Sequence, residues 1–245
     1  MKDSTIASSG PVIGILGWEA GNEDTLSQLE YMPGNIAHPD TFAFPVMFKR
    51  VEGAYYKTVV EDPNVKVLRA MIGAAQEMER QGIKAITTSC GFNAIFQREL
   101  ANAVDIPVFA SSLIQVPLVY QMLRHGQQVG VITADRAHLT QEHLENAGVS
   151  KTIPVCIRGI ENTEEFSKIR VDPKATLNVA KFEREVVDVA KTLVEENRDV
   201  GAIVLECTDL PPFAAAIRRA VGLPVFDIVT LTNMVYESVA GDRWG

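Results

Sequence analysis

Residues 83–90 read IKAITTSC, and residues 200–207, which lie 117 positions further along the chain, read VGAIVLEC. The same offset holds without a gap from residue 83 to residue 109, and nine of these 27 aligned pairs are identical. Average residue usage gives about two identities in such a window. The identical pairs include Cys90 with Cys207 and the tripeptide Pro-Val-Phe at 107–109 and 224–226. The match predicts a duplicated unit with one cysteine in each copy.

The repeat extends beyond the cysteine units and predicts the fold class. Residues 13–16 (IGIL) resemble residues 129–132 (VGVI), so each half begins with a glycine-bearing strand. Short apolar runs alternate with helical patterns, which is typical of parallel sheets covered on both faces. We expect an α/β protein of two pseudo-symmetric lobes, each a mostly parallel sheet flanked by helices, with the active site in the cleft between them. The first lobe covers 11–113 with a C-terminal helix at 229–245, and the second covers 114–228.

A single (β/α)₈ barrel is the rival fold, because duplication of half a barrel gives a similar number of strands. Pro107 and Pro224 each open a short strand near the end of their half. Proline in a strand is typical of sheet edges, which a closed barrel lacks. This position favours two open sheets. Among the internal strands, we place one at residues 42–47.

Composition excludes several classes of function. Of 245 residues, 47% are hydrophobic and 22% charged, as in an ordinary soluble domain. The net charge of −8 argues against a nucleic-acid partner, and no apolar run reaches the ~20 residues that span a membrane. Three cysteines without a CxxC or HExxH motif predict neither a disulfide framework nor a metal site. The polar start of the chain shows no signal-peptide core, so we expect a cytoplasmic protein with reduced thiols.

The two matched cysteines are candidates for catalysis. Each closes an apolar strand and is followed by a turn and a helix. Side chains at the carboxyl ends of parallel strands face the ligand crevice, and a helix N-terminus stabilises a thiolate or binds a carboxylate. Free cysteines are often inert core residues, and Cys156, which has no partner in the repeat, is predicted to be one. The matched pair favours an acid and a base on opposite sides of one carbon.

At these residues the chain resembles the aspartate/glutamate racemase superfamily, which includes glutamate, aspartate and hydantoin racemases, maleate isomerases and arylmalonate decarboxylases. Cys207-Thr208, with its preceding apolar strand and following proline turn, matches the second cysteine motif of that family. Cys90 matches the first motif in placement, although Gly91 and Phe92 intervene before the asparagine that often follows this cysteine directly. Asp209 stands where glutamate racemases carry His and aspartate racemases often Glu.

The resemblance implies a cofactor-independent racemase or epimerase that acts on an acidic amino acid or a related small carboxylate. Cys90 and Cys207 would exchange the proton at the α-carbon, without a metal or another cofactor. A homodimer fits the behaviour of the family. The substrate-binding residues that the resemblance and the strand-end positions suggest are Gly91, Phe92, Asn93, Thr133, Thr208, Asp209 and Trp18. Asn93 and Asp209 have the alternative role of helix caps.

Three other functions fit the same pattern. A maleate-type cis-trans isomerase uses one cysteine as a nucleophile, and an arylmalonate-type decarboxylase needs one cysteine as a proton donor. The presence of both cysteines counts against the decarboxylase. A non-catalytic protein that closes two lobes on a small acid is the third alternative, since a fold does not determine its function.

Overall fold

The computed structural model describes residues 10–19, 25–172 and 174–240 and contains two parallel sheets. The first sheet is formed by β1 (Ile13–Gly17), β2 (Val46–Arg50), β3 (Ala85–Thr88) and β4 (Val108–Phe109), in the order β2-β1-β3-β4. The second is formed by β5 (Gln128–Thr133), β6 (Val155–Gly159), β7 (Val200–Leu205) and β8 (Val225–Phe226), in the order β6-β5-β7-β8. The two orders are the same, which confirms the predicted pair of open sheets and rules out the barrel.

Helices flank both sheets. They are α1 (Thr25–Glu30), α2 (Val65–Arg80), α3 (Gln97–Asn102), α4 (Gln115–Met122), α5 (Gln141–Asn146), α6 (Glu164–Val171), α7 (Val179–Glu196), α8 (Ala214–Val221) and α9 (Ile228–Val239). A π-helical turn spans Lys57–Glu61, and 3₁₀ turns span Gly91–Phe96, Ser112–Ile114 and Pro211–Phe213. Within the described ranges, no helix combines the length and the apolar character needed to cross a bilayer.

The strand register shows the duplication directly. Ile86 pairs with Val108 in the first sheet, and Ile203 pairs with Val225 in the second. These are the same positions of the sequence repeat, 117 residues apart. Both partner strands, β4 and β8, lie at sheet edges, as the prolines before them predict.

The glycines of the two repeated strands bring a helix close to each sheet. A Cβ on Gly14 would lie 2.7 Å from Sδ of Met78 on α2, and a Cβ on Gly130 would lie 2.7 Å from a methyl carbon of Leu193 on α7. Real Cβ atoms do not approach this closely, so each glycine opens the space that a buried helix side chain fills. The long helices α2 and α7 therefore pack at equivalent places in the two halves.

The C-terminal helix α9 packs against the first sheet. Ile228 and Leu231 join Ile13 and Ile15 of β1 in one buried cluster. The helix begins at Asp227, whose carboxylate accepts the backbone N–H of Thr230 at 2.7 Å. Residues 241–245 of the predicted C-terminal helix lie outside the described residues, and the boundaries chosen for the two lobes stay predictions.

The strand predicted at residues 42–47 is misplaced, because β2 begins only at Val46. Phe42 and Phe44 precede it in a bent segment, and Phe44 stacks on Tyr236 of α9. Pro45 has no backbone N–H to donate to a sheet. The aromatic side chains before it cover α9 instead of extending the strand.

Candidate active site

The carboxyl ends of the two sheets share a cavity of about 600 Å³ including its mouth, and both matched cysteines line it. Cys90 follows β3 and Cys207 follows β7, and each precedes a 3₁₀ turn. Both side chains are buried, with 7% and 6% of their surface exposed. The two cysteines therefore border one cavity from the two halves of the repeat.

The two thiols lie in different electrostatic surroundings. Burial raises the pKa of Cys90 well above its usual range, and the nearby Glu206 carboxyl raises it further, while the backbone N–H groups of Phe92 and Asn93 lower it. Burial also raises the pKa of Cys207 strongly, followed by the carboxyls of Asp209 and Glu206, and only the Asp209 N–H opposes this effect. Cys90 is therefore the thiol whose ionised form has more support from backbone donors.

Glu206 is a fully buried carboxyl on the cavity wall. The Thr133 hydroxyl donates to its Oε2 at 2.7 Å, and the Ala134 N–H donates to the same oxygen at 3.3 Å. Its Oε1 has no hydrogen-bond partner among the described residues. Burial raises the pKa of Glu206 to about 7, and the hydrogen bonds of Thr133 and Ala134 oppose this rise.

Gly91 makes room for Glu206 across the boundary between the sheets. A Cβ on Gly91 would lie 2.2 Å from the Glu206 carbonyl oxygen and 2.3 Å from Oε1. Any side chain at position 91 would collide with this strand end. Gly91 stands where the family often has the asparagine that follows this cysteine. A glycine is needed at this position because the Glu206 carboxyl occupies the space of a side chain.

Asp209 is the second acidic group of the cavity. Its Oδ1 accepts a hydrogen bond from the Asn35 amide at 2.8 Å, and its Oδ2 lies 3.9 Å from the Cys207 sulfur. Burial raises the pKa of Asp209 to about 7, and the Asn35 hydrogen bond opposes the rise. Unlike Glu206, Asp209 has a partner for each oxygen.

Five of the seven residues proposed for substrate binding line the cavity: Trp18, Gly91, Phe92, Thr208 and Asp209. The Thr208 hydroxyl is engaged, since it donates to the Ser89 carbonyl across the lobe boundary. Whether these residues bind substrate stays a prediction.

The other two proposed residues, Asn93 and Thr133, do not line the cavity. The Asn93 amide donates to the Thr88 hydroxyl at 3.0 Å, and Thr133 donates to Glu206. Both side chains are buried behind the wall. In this structure the two residues hold supporting positions, and their contact with substrate stays a prediction.

Sequence reasoning missed several groups on the wall. Glu206 had a signal, because it immediately precedes Cys207 at the end of a buried strand. Asn35, Tyr56 and Phe166 had none, because they come from irregular segments and from α6, far from the cysteines in sequence.

The cavity wall is acidic and aromatic. Trp18, Tyr56, Phe92 and Phe166 contribute rings, and the buried Trp18 indole N–H has no hydrogen-bond partner among the described residues. Glu30 also lines the cavity but forms a salt bridge with Arg50 at 2.8 Å. No lysine, arginine or histidine is among the described residues that line the cavity. In the part of the chain that the structure describes, Glu206 and Asp209 are therefore buried carboxyls without a cationic partner on this wall.

The sequence profile of the Asp/Glu/Hydantoin racemase family matches residues 13–233. The chain therefore belongs to this family, and fold, family and cavity together identify an enzyme. Solved structures show the same fold: allantoin racemase from Pseudomonas fluorescens has a TM-score of 0.64 at 16% identity, covering 93% of this chain and 90% of the other. Unliganded arylmalonate decarboxylase has a TM-score of 0.60 at 17% identity, covering 95% and 94%.

Relatives of higher sequence identity carry a different name. A dimethylsulfoniopropionate lyase of Durusdinium sp. clade D is 28% identical over 221 residues, which cover 87% of this chain and 73% of the relative. Dimethylsulfoniopropionate lyase 7 of Emiliania huxleyi is 30% identical over 220 residues, covering 83% of this chain and 62% of the relative. The chain thus spans about two thirds of the length of these relatives.

Proposed function

We propose that this enzyme is a lyase that removes the α-proton of a small carboxylate and expels a dialkyl sulfide from its β-carbon, with dimethylsulfoniopropionate as the first candidate substrate. The observation that carries the proposal is the acidic, aromatic cavity wall without a basic side chain among its described residues. This wall also carries the two thiols to which we assign proton transfer.

The wall matches a substrate with a methylated cation better than a dicarboxylate. Buried carboxyls need a compensating charge, and a second carboxylate on the substrate would add to their repulsion. Aromatic faces attract onium groups, by about 0.5–2 kcal/mol for each contact. A sulfonium carboxylate has the required cation, and the names of the relatives support the same substrate class.

The carboxylate end of such a substrate also has a partner. Trp18 lines the same cavity, and its indole N–H has no hydrogen-bond partner within the described ranges of the chain. A hydrogen bond from it would stabilise the negative charge that develops on the carboxylate as the α-proton leaves. The substrate would then lie with its carboxylate at the Trp18 N–H and its sulfonium group against the carboxyls and aromatic rings of the wall.

The reaction needs one base. The Cys90 thiolate takes the proton from the α-carbon, and the electron pair of that C–H bond forms the α,β double bond. The bond from the β-carbon to the sulfonium breaks, and dimethyl sulfide leaves with the bonding pair. The products are acrylate, dimethyl sulfide and a proton on Cys90 that passes to solvent, so charge and atoms balance.

Cys90 is the base in this scheme because its surroundings stabilise the thiolate better. The backbone N–H groups of Phe92 and Asn93 lower the pKa of Cys90, whereas the Asp209 N–H lowers that of Cys207, whose sulfur lies 3.9 Å from the Asp209 carboxylate. Cys207 remains a thiol and fills the opposite wall. We therefore expect Cys90→Ala to reduce turnover more than Cys207→Ala.

The test is incubation of the purified protein with dimethylsulfoniopropionate. Dimethyl sulfide is measured by gas chromatography, and acrylate by proton NMR in the same sample. Equal amounts of both products, released by the wild type and lost in Cys90→Ala, are the expected result. Absence of both products at substrate concentrations up to tens of millimolar refutes the lyase.

Racemisation is the second candidate function, and one observation favours it: both thiols line the same cavity from opposite lobes. In that reaction each cysteine serves as base for one enantiomer, so either substitution abolishes turnover in both directions. Deuterium from solvent would enter the α-carbon of recovered amino acids or hydantoins without release of a product fragment. The same NMR samples, prepared in D₂O, distinguish this outcome from elimination.

A further inference from the structure

We propose that Glu206 is the residue that selects a cationic substrate: its free carboxylate oxygen receives the onium group of a small sulfonium or quaternary ammonium carboxylate. This inference rests on the proposed function for the identity of the reacting substrate. It names the residue that determines specificity at that site and predicts that a proton is released when the cation binds.

The first argument is the incomplete hydrogen bonding of a fully buried side chain. Thr133 and Ala134 fix one oxygen of Glu206, which orients the carboxyl, while Oε1 has no partner in the described part of the chain. Buried charges in proteins are paired, because an isolated one is expensive to keep out of water. Since Glu206 lies on the cavity wall, we infer that a ligand supplies the partner that its Oε1 lacks.

The second argument is that the other acids of the cavity are already satisfied. Glu30 pairs with Arg50, and Asp209 has Asn35 on one oxygen and the Cys207 thiol near the other. Among the three carboxyls on this wall, Glu206 is the one with a buried oxygen that has no hydrogen-bond partner in the described part of the chain. The cation is therefore expected there, close to both sulfurs.

The third argument is the space kept for this carboxyl by Gly91. The glycine allows the Glu206 side chain to lie against the turn that follows Cys90, where a Cβ would come within 2.3 Å of Oε1. The carboxyl of the second lobe thus reaches the base of the first lobe. An onium group beside Oε1 would place the adjacent carbons of the substrate next to Cys90.

Binding of a cation should release a proton. Burial raises the pKa of Glu206 to about 7, so the free enzyme holds a proton there in part of the molecules at pH 7. A bound cation favours the ionised form and expels that proton. Affinity for the cation should therefore rise as the pH rises through 7. The groups that face Glu206 are Cys90, Cys207, Asp209 and Asp135.

The test compares two ligands of the same shape by isothermal titration calorimetry. The ligand 3-(trimethylammonio)propanoate carries the positive charge, and 4,4-dimethylpentanoate replaces the ammonium nitrogen by carbon. We expect the wild type to prefer the ammonium ligand at least 10-fold. Glu206→Gln should lose this preference and still bind 4,4-dimethylpentanoate. Glu77→Gln, the matched change at a carboxylate of α2 that pairs with Lys49 outside the cavity, should keep the preference.

Proton release is the second readout. Titrations at pH 7 in buffers of different ionisation enthalpy should show protons released with the ammonium ligand and none with 4,4-dimethylpentanoate. Glu206→Gln should abolish this release, and Glu77→Gln should preserve it. Release that survives Glu206→Gln, or a preference for the ammonium ligand that survives Glu206→Gln, overturns the inference.

The outcomes separate the two proposals. Release of dimethyl sulfide by the wild type, together with an unchanged ligand preference in Glu206→Gln, overturns the role of Glu206 alone. A preference that depends on Glu206, without any dimethyl sulfide, supports the cation site and refutes the lyase. If Glu206→Gln does not fold, Thr133→Val takes its place. Loss of the Thr133 hydrogen bond raises the pKa of Glu206, so the pH dependence of the ammonium affinity should move upward.

Discussion

Replacement of Gly91 by alanine should destabilise the protein and disable the cavity, because the added methyl group has no space. The Cβ would lie 2.2 Å from a backbone carbonyl oxygen and 2.3 Å from Oε1, both of Glu206. Ordinary contacts require about 1 Å more. The carbonyl cannot retreat easily, since Glu206 is held by the hydrogen bond from its N–H to the Ile132 carbonyl at 2.8 Å. The strand end or the turn after Cys90 must move.

Overpacking of this kind costs roughly 1–3 kcal/mol. For a chain of this size each kcal/mol corresponds to about 2–4 °C in melting temperature, so the expected decrease is roughly 2–12 °C. A displacement of about 1 Å at a reacting group lowers turnover about 100-fold. We therefore expect a folded variant with much lower kcat/KM for dimethyl sulfide release.

Gly73→Ala is the matched control. Gly73 is exposed on α2, and a Cβ there meets no atom within 4 Å. Alanine is favoured over glycine inside a helix by about 0.5–1 kcal/mol, so this variant should melt slightly higher than wild type and retain its activity. Circular dichroism melts and product assays at 25 °C measure both effects. A Gly91→Ala protein with wild-type melting temperature and wild-type kcat/KM refutes the steric argument.

Three further predictions concern the titratable groups. Cys90→Ala should lower the rate of dimethyl sulfide release by about 10²–10⁴-fold, the range for loss of a general base. Cys156→Ala removes a thiol from β6 outside the cavity and should stay within about twofold of wild type. Similar losses in both variants would contradict the assignment of Cys90 as the base. Because burial and neighbouring carboxyls raise the pKa of both cavity thiols, kcat/KM should still be rising at pH 8.5, the ordinary thiol pKa. Asp209→Asn removes one of these carboxylates and should move the rise to lower pH. A full pH profile with a maximum near pH 7 would contradict a thiolate base. The folded protein keeps the Glu206 proton up to about pH 7, whereas the unfolded chain releases it near 4.3, so this carboxyl lowers the free energy of unfolding as pH rises between those values. Calorimetry should therefore show that Glu206→Gln raises the melting temperature, relative to wild type, more at pH 8 than at pH 5. An equal rise at both pH values argues against a buried ionised carboxyl.

The sequence predicted those parts of the fold that local pattern and repetition determine. The cysteine strands, their edge partners and the two long helices follow from apolar periodicity and from the 117-residue offset. The strand at 42–47 was misplaced because its aromatic residues cover α9, which lies almost 200 residues further along the chain. An apolar run does not reveal which surface it covers.

The charge of the cavity was not predictable in the same way. Asp209 and Asn35 are 174 residues apart in sequence, and their hydrogen bond depends on how two loops meet. The resemblance implies an acidic amino acid or a related small carboxylate as the substrate. Only the three-dimensional arrangement shows that the acids of the wall lack a basic counterpart among its described residues.

The two copies of the repeat differ around their cysteines, and this difference bears on which thiol acts as the base. The position equivalent to Glu206 in the first copy is Ser89, and the position equivalent to Asp209 is Phe92. Both carboxyls therefore come from the loop of Cys207, although they raise the pKa of both thiols. A racemase must use either thiol as the base, according to the enantiomer that it binds, and similar loops serve that exchange. Unequal loops serve a reaction in which one thiol always takes the proton. The divergence of the two loops thus agrees with the elimination proposed above, in which Cys90 is the base.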